Sequence, residues 1–273
     1  MNSNIYSKLY SIFFEKGWSK NHYSRDAFDA LSNLVANINE EQQDLILELL
    51  DRYHWIKFNE SEPGVYQMLE FIDKISSSFK RLYIGPIIKI SDDGKIKSGH
   101  GATYIIKSLS PRTTRLKTSN TKFIDSYDGL KLKDNERLLV VDDYIGSGKT
   151  ALIALNELNS IFKIPTSKIT LVVFGAQESA LDELQARGID FYVYQKYKKG
   201  ISDFYTDTSL TNKSELMKKV ENLIPKLNRD YSFGMNQTEA LVTFNERTPN
   251  NTFPIFWMKH KYKNKEFEPA FPR

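Results

Sequence analysis

The 273-residue chain contains no cysteine. That excludes a disulfide framework and any thiolate metal site, and it is compatible with a reducing compartment. No apolar run approaches the ~20 residues of a membrane-spanning helix. The start, Met1-Asn2-Ser3-Asn4-Ile5-Tyr6, lacks the charged and apolar regions of a secretory signal. The expectation is a soluble cytoplasmic protein with no membrane association. A strong charge of one sign is also missing: 38 Lys and Arg face 34 Asp and Glu, for a formal net charge of +4. Basic residues gather at Lys196-Tyr197-Lys198-Lys199 and from Lys259 to Lys265, interleaved with aromatics. That pattern suits nucleic acid. With so small a net charge, a solvated surface with partly buried aromatics is the better reading. Internal repeats and low-complexity segments are absent.

What is present changes character near residue 80. Residues 1–80 read as a helical subdomain, with Ile5, Leu9, Ile12 and Phe13 at helical spacing. Ser24 is placed to cap a helix over 25–38, and Asn39 to cap one over 40–53. A fourth short helix is predicted over 65–76, after the breaker Ser61-Glu62-Pro63-Gly64. No catalytic signature stands out here, and the region reads as a partner-binding surface. His22 and His54 have no ligand-spaced neighbours, and no basic recognition helix supports a DNA-binding role.

From residue 81 to the end, strands and helices alternate, the mark of an α/β fold. Strands are predicted over 82–90, 138–141, 169–174, 191–195 and 240–244. Helices are predicted over 101–109, 150–162, 177–186 and 214–227. Residues 91–101 read as a loop with Asp92-Asp93-Gly94 as its turn signal, and 110–134 as irregular and basic. The fold class expected is a mostly parallel sheet flanked by helices, with the helical subdomain at the N-terminus.

One stretch carries chemistry: Leu138-Leu139-Val140-Val141-Asp142-Asp143-Tyr144-Ile145-Gly146-Ser147-Gly148-Lys149-Thr150. A buried strand delivers two carboxylates to its C-terminal edge. The loop after it offers backbone N–H groups and hydroxyls to an anion, aided by the positive end of the following helix. Acids beside a phosphate cradle suit a sugar phosphate. A bare Asp-Asp after a strand can equally be a solvated turn or a helix cap. The tail Gly-Ser-Gly-Lys-Thr also looks like the end of a Walker A loop, G-x-x-x-x-G-K-[ST]. That motif needs glycine at 143, where this chain has Asp, so a nucleotide-hydrolysing reading is disfavoured.

The same stretch resembles the phosphoribosyl-pyrophosphate (PRPP) motif of type I phosphoribosyltransferases. Asp142 and Asp143 match its acidic pair, Ile145 its apolar position, and Ser147, Gly148 and Thr150 its loop. Tyr144 and Gly146 depart from the usual pattern. The resemblance implies that Asp142 and Asp143 contact the ribose hydroxyls and help hold Mg2+ through water. It implies that Ile145, Gly146, Ser147, Gly148, Lys149 and Thr150 form the 5′-phosphate loop. Ser98, Gly99, His100 and Gly101 fall where the family places its pyrophosphate loop. Arg112, Arg115 and Lys117 fall in the segment of its mobile loop, as cations for the departing pyrophosphate.

Thr248-Pro249-Asn250-Asn251-Thr252, with Trp257 after it, is similar to a divergent bacterial group found in antiviral conflict systems such as retron operons. Asn250, Asn251 and Trp257 are then candidates for the hood that covers the acceptor. Phe256 and Trp257 could stack on a base, although anchoring of the tail in the core is the simpler expectation. The resemblance implies PRPP or a related ribose phosphate as ligand, Mg2+ as cofactor, and transfer of ribose 5-phosphate to a base or nucleotide by a defence effector. The partners it implies are proteins bound through the N-terminal helices, including a reverse transcriptase–RNA/DNA complex, and a homo-oligomer. The alternative is a module that senses PRPP or a nucleotide without turnover.

Overall fold

The computed structural model describes residues 3–57, 63–92, 95, 97–113, 121–244, 247–271 and 273. In chain order the helices are α1 (Ser3–Glu15), α2 (Ser24–Ala36), α3 (Glu40–Arg52), α4 (Pro63–Ser76), α5 (Ser98–Leu109), α6 (Lys149–Ser160), α7 (Glu178–Ala186) and α8 (Asp207–Glu221). The strands are β1 (His54–Ile56), β2 (Arg81–Pro86), β3 (Thr121–Phe123), β4 (Glu136–Ile145), β5 (Ile169–Gln177), β6 (Asp190–Tyr197), β7 (Val242–Phe244), β8 (His260–Tyr262) and β9 (Lys265–Phe267).

The chain forms two compact units, one from residues 1–57 and 198–273, the other from 58–197. This corrects the expected boundary at 80/81 in two places. The predicted fourth helix, α4, belongs with the sheet, where Phe71 stacks on Tyr192 of β6 at 4.3 Å and 15°. Residues 198–273, expected to continue the sheet domain, share a core with α1, α2 and α3. There Tyr53 stacks on Phe271 at 4.5 Å, and Phe253 and Phe256 lie in the same buried cluster as Leu45, Leu49 and Leu50. Beyond these helices this unit holds the parallel pair β1–β7 and the β8–β9 hairpin.

In the 58–197 unit five strands make one sheet in the order β3-β2-β4-β5-β6, with every pairing parallel. Its composition explains the arrangement. Every residue of β5 is buried, as expected for a strand covered by helices on both faces. The chain runs from β2 outward to β3, then returns to the other side of β2 as β4. That reversal makes a switch point between β2 and β4, and open parallel sheets bind ligands at the carboxyl ends of the strands there.

Several local expectations are corrected. β2 ends at Pro86, and β4 extends through both acids to Ile145. Ser24 is the first residue of α2 and makes no cap; Asn39 does cap α3, in a reciprocal box with Gln42. Within the basic region, Thr121–Phe123 pairs in parallel with β2 as an edge strand. Residues 98–100, read as loop, already belong to α5.

Candidate functional site

The central strand β4 carries Asp142 and Asp143 near its C-terminal end, both half-buried. In register Asp142 faces Val173 of β5, so no opposite charge lies beside it within the sheet. Ser98 Oγ donates to Asp142 Oδ1 at 2.9 Å, and the Asp143 backbone N–H donates to the same oxygen at 3.0 Å. Burial, reinforced by the neighbouring carboxylate of Asp143, pushes Asp142 well above the usual carboxylate range; burial pushes Asp143 up too. The two titrate as a pair. Two acids held together at a cost in charge are primed for partners that relieve it, such as hydroxyl donors or a cation.

The turn after them is short. β4 ends at Ile145 and α6 begins at Lys149, leaving Gly146, Ser147 and Gly148. Gly148 sits at the N-cap of α6 with φ of 75°, a left-handed conformation that suits glycine. Lys149 and Thr150, both exposed, open the first turn of α6, where backbone N–H groups have no intrahelical carbonyl to meet. A three-residue turn leaves no room for a Walker A loop, which spans from position 143 to the lysine. Ile145 is buried below the turn.

The second element at the edge is α5, which enters from the β2 side. Its first turn is Ser98, Gly99, His100 and Gly101. Glycine signals had suggested a loop, yet the helix is stabilised locally: His100 Nδ1 accepts the Lys97 backbone N–H at 3.1 Å, and Thr103 Oγ1 donates to the Gly99 carbonyl at 2.8 Å. A side chain at Gly99 would stand 3.0 Å from both Ile87 N and Val141 O. The absent Cβ lets α5 approach β2 and β4 closely enough for Ser98 to reach Asp142.

Other expected residues are elsewhere. Arg112 follows the C-terminal end of α5, about 16 Å along the helix from Ser98, and its guanidinium donates to Tyr66 Oη at 3.4 Å. It is therefore not gathered at the acid pair. Arg115 and Lys117 lie outside the described residues. Asn250, Asn251 and Trp257 belong to the other unit and hold the chain together there. Asn251 O accepts from Ala240 N at 3.1 Å and Thr238 Oγ1 at 2.8 Å, Asn250 O accepts from Met235 N at 2.8 Å, and Trp257 Nε1 donates to Thr252 O at 2.8 Å. Phe256 is fully buried, so it anchors the core and offers no ring to a base.

No group of three or more His, Cys, Asp or Glu able to hold a metal occurs among the described residues. Neither a 220 Å³ cavity beside β3, lined by Ile88, Tyr127 and Phe162 among others, nor a groove between α3 and α8 includes either acid. No described helix is long and apolar enough to cross a membrane.

The PRTase-CE family model matches residues 16–273. No functionally curated protein matches the chain. Among solved structures, the orotate phosphoribosyltransferase of Aeropyrum pernix is 17% identical, with 49% of this chain and 68% of that one covered and a TM-score of 0.31. The xanthine-guanine-hypoxanthine phosphoribosyltransferase of Helicobacter pylori gives 16%, 53%, 85% and 0.30. The adenine phosphoribosyltransferase (APRTase) of Giardia lamblia, complexed with 9-deazaadenine, gives 11%, 50%, 82% and 0.32.

Proposed function

The chain belongs to the PRTase-CE family, and from that premise we propose that it binds PRPP at the β4 edge and transfers ribose 5-phosphate to a nitrogen of a base or nucleotide. The observation that carries the reading is the half-buried Asp142–Asp143 pair on the central strand, followed at once by a three-residue turn into α6. The acids accept hydrogen bonds from the ribose 2′- and 3′-hydroxyls. Gly146 to Thr150 take the 5′-phosphate, an acceptor-only anion suited to helix N–H groups.

The reaction is a displacement at ribose C1. The C1–O bond to pyrophosphate breaks with its electron pair leaving on the pyrophosphate oxygen, the acceptor nitrogen's lone pair forms the new bond, and that nitrogen's proton passes to solvent. Positive charge builds on the sugar, as in glycoside chemistry, and carboxylates fixed beside the ribose stabilise it without proton transfer. Mg2+ fits this donor set: the carboxylates of Asp142 and Asp143 can accept hydrogen bonds from its waters, while substrate oxygens and waters would make up its shell. Held through water by that pair, it would neutralise the leaving group.

Retention of PRPP without turnover is the second reading. It is favoured by the placement of Arg112, whose guanidinium donates to Tyr66 Oη away from the acid pair. A role as a defence effector, on the likeness of the motifs to the antiviral group, completes the proposal. Toxicity on expression that disappears with Asp142→Asn supports it, and toxicity that persists removes it.

The deciding experiment is calorimetric titration of PRPP with Mg2+ into the wild type and an Asp142→Asn/Asp143→Asn variant shown to be folded. Binding lost in the variant is the expected result. Equal binding by both proteins, or none by the wild type, overturns the assignment. Product formation with added bases or nucleotides separates transfer from sensing.

A further inference from the structure

Ser98 was expected to contact the diphosphate, and the geometry assigns it a different task. A serine hydroxyl carries one proton. Here that proton is given to Asp142 Oδ1 at 2.9 Å. Phosphate oxygens of a bound diphosphate are acceptors, so a hydroxyl already donating to a carboxylate has nothing to give them. The position of Ser98 is also secured from several sides. Gly99 abuts Ile87 N and Val141 O, one residue before Asp142 in β4. His100 Nδ1 accepts from Lys97 N at 3.1 Å, while Thr103 Oγ1 closes the first turn onto Gly99 O at 2.8 Å. Lys97, the remaining charge at this end of α5, is engaged with Asp92 at 3.0 Å.

We infer that Ser98 is a positioning residue: from the first turn of α5 it fixes the carboxylate of Asp142 in the orientation that receives the ribose. Its partner in the task is the Asp143 N–H, which holds the same oxygen at 3.0 Å from within β4. Two elements meeting at the β2/β4 switch point thus hold the same oxygen of Asp142, one from α5 and one from β4. The inference rests on the ribose-phosphate reading above and adds to it which residue prepares the acid.

Two ligands separate this role from a direct contact. PRPP and ribose 5-phosphate share the ribose hydroxyls and the 5′-phosphate; only PRPP has the diphosphate. Ser98→Ala is expected to weaken both by the same factor, about tenfold, as suits loss of one hydrogen bond to a charged group. Ser98→Thr, which keeps the hydroxyl, restores both affinities. In an Asp142→Ala background Ser98→Ala has no further effect, since the group it positions is gone. A loss confined to PRPP would make Ser98 a diphosphate contact and overturn the inference, and so would additive losses in the double variant. Ser98→Cys, a weaker donor of similar size, takes the place of the alanine variant should that one not fold. A wild type that binds neither ligand is a different failure: it removes the functional reading itself, and with it any task for Ser98 at that site.

Discussion

Gly148 is where the backbone rather than a side chain sets the geometry of the turn. A Cβ there would meet Ala180 Cβ at 3.6 Å, an ordinary contact, so space is not the constraint; the φ of 75° is. Gly148→Ala is expected to cost about 1 kcal/mol from left-handed strain, and Gly148→Asn less, because asparagine tolerates that region. Urea denaturation of the two variants measures the difference. His260 presents the opposite case, a residue defined by what its side chain lacks. It is buried, stacks on Phe267 at 5.5 Å and 16°, and neither ring nitrogen has a hydrogen-bond partner among the described residues. Burial lowers its pKa from 6.5. The unfolded chain therefore takes up a proton before the folded one does, and stability falls as pH drops below about 6.5 toward the lower folded value. His260→Phe, which keeps the stacking ring, should be more stable by about 1 kcal/mol near neutral pH. It should also lose less stability between pH 7 and 5, as read by denaturation at each pH.

At the scale of elements, capping decides what a sequence shows. Asn39 and Gln42 bond reciprocally at 3.0 Å each, so the start of α3 is written in residue types with one habitual use. Asn39→Ala should cost about 1 kcal/mol, measured as a shift in denaturation midpoint. The first turn of α5 was illegible for the converse reason. Gly99 and Gly101 are poor helix formers, and the close approach that requires Gly99 is a tertiary fact. β4 was legible as a strand over its apolar residues, but the two acids looked like its end. They are strand residues at a buried edge, where pattern alone cannot distinguish a ladder from a loop. β3 is three residues long and is held by its pairing with β2 more than by its composition. The acid pair and the turn after it could be read because their chemistry is contiguous. Ser98, 44 residues before Asp142, could be joined to it only by the fold.

At the scale of the whole molecule, the basic clusters are partly engaged within the protein. Lys259 is paired with Glu266 at 3.4 Å and Glu268 at 2.6 Å, and Tyr197 is buried rather than offered for stacking. The Thr-Pro-Asn-Asn-Thr segment is likewise turned inward, tying its side chains to backbone inside its own unit: Thr252 Oγ1 donates to Val242 O at 2.8 Å and Thr248 Oγ1 to Phe271 O at 2.5 Å. That unit takes in both ends of the chain, with residues 58–197 between its two parts. The hydroxyl of Tyr53 meets that of Thr243, 190 positions later, at 2.7 Å. On a ribosome adding roughly 5–20 residues per second, the N-terminal helices wait roughly ten to forty seconds for the segment that completes their core. The sheet is translated within that interval. Chains truncated after residue 197 should therefore protect the amides of β4 and β5 from exchange while those of α1 to α3 remain open, which leaves helices translated before the sheet to be secured after it.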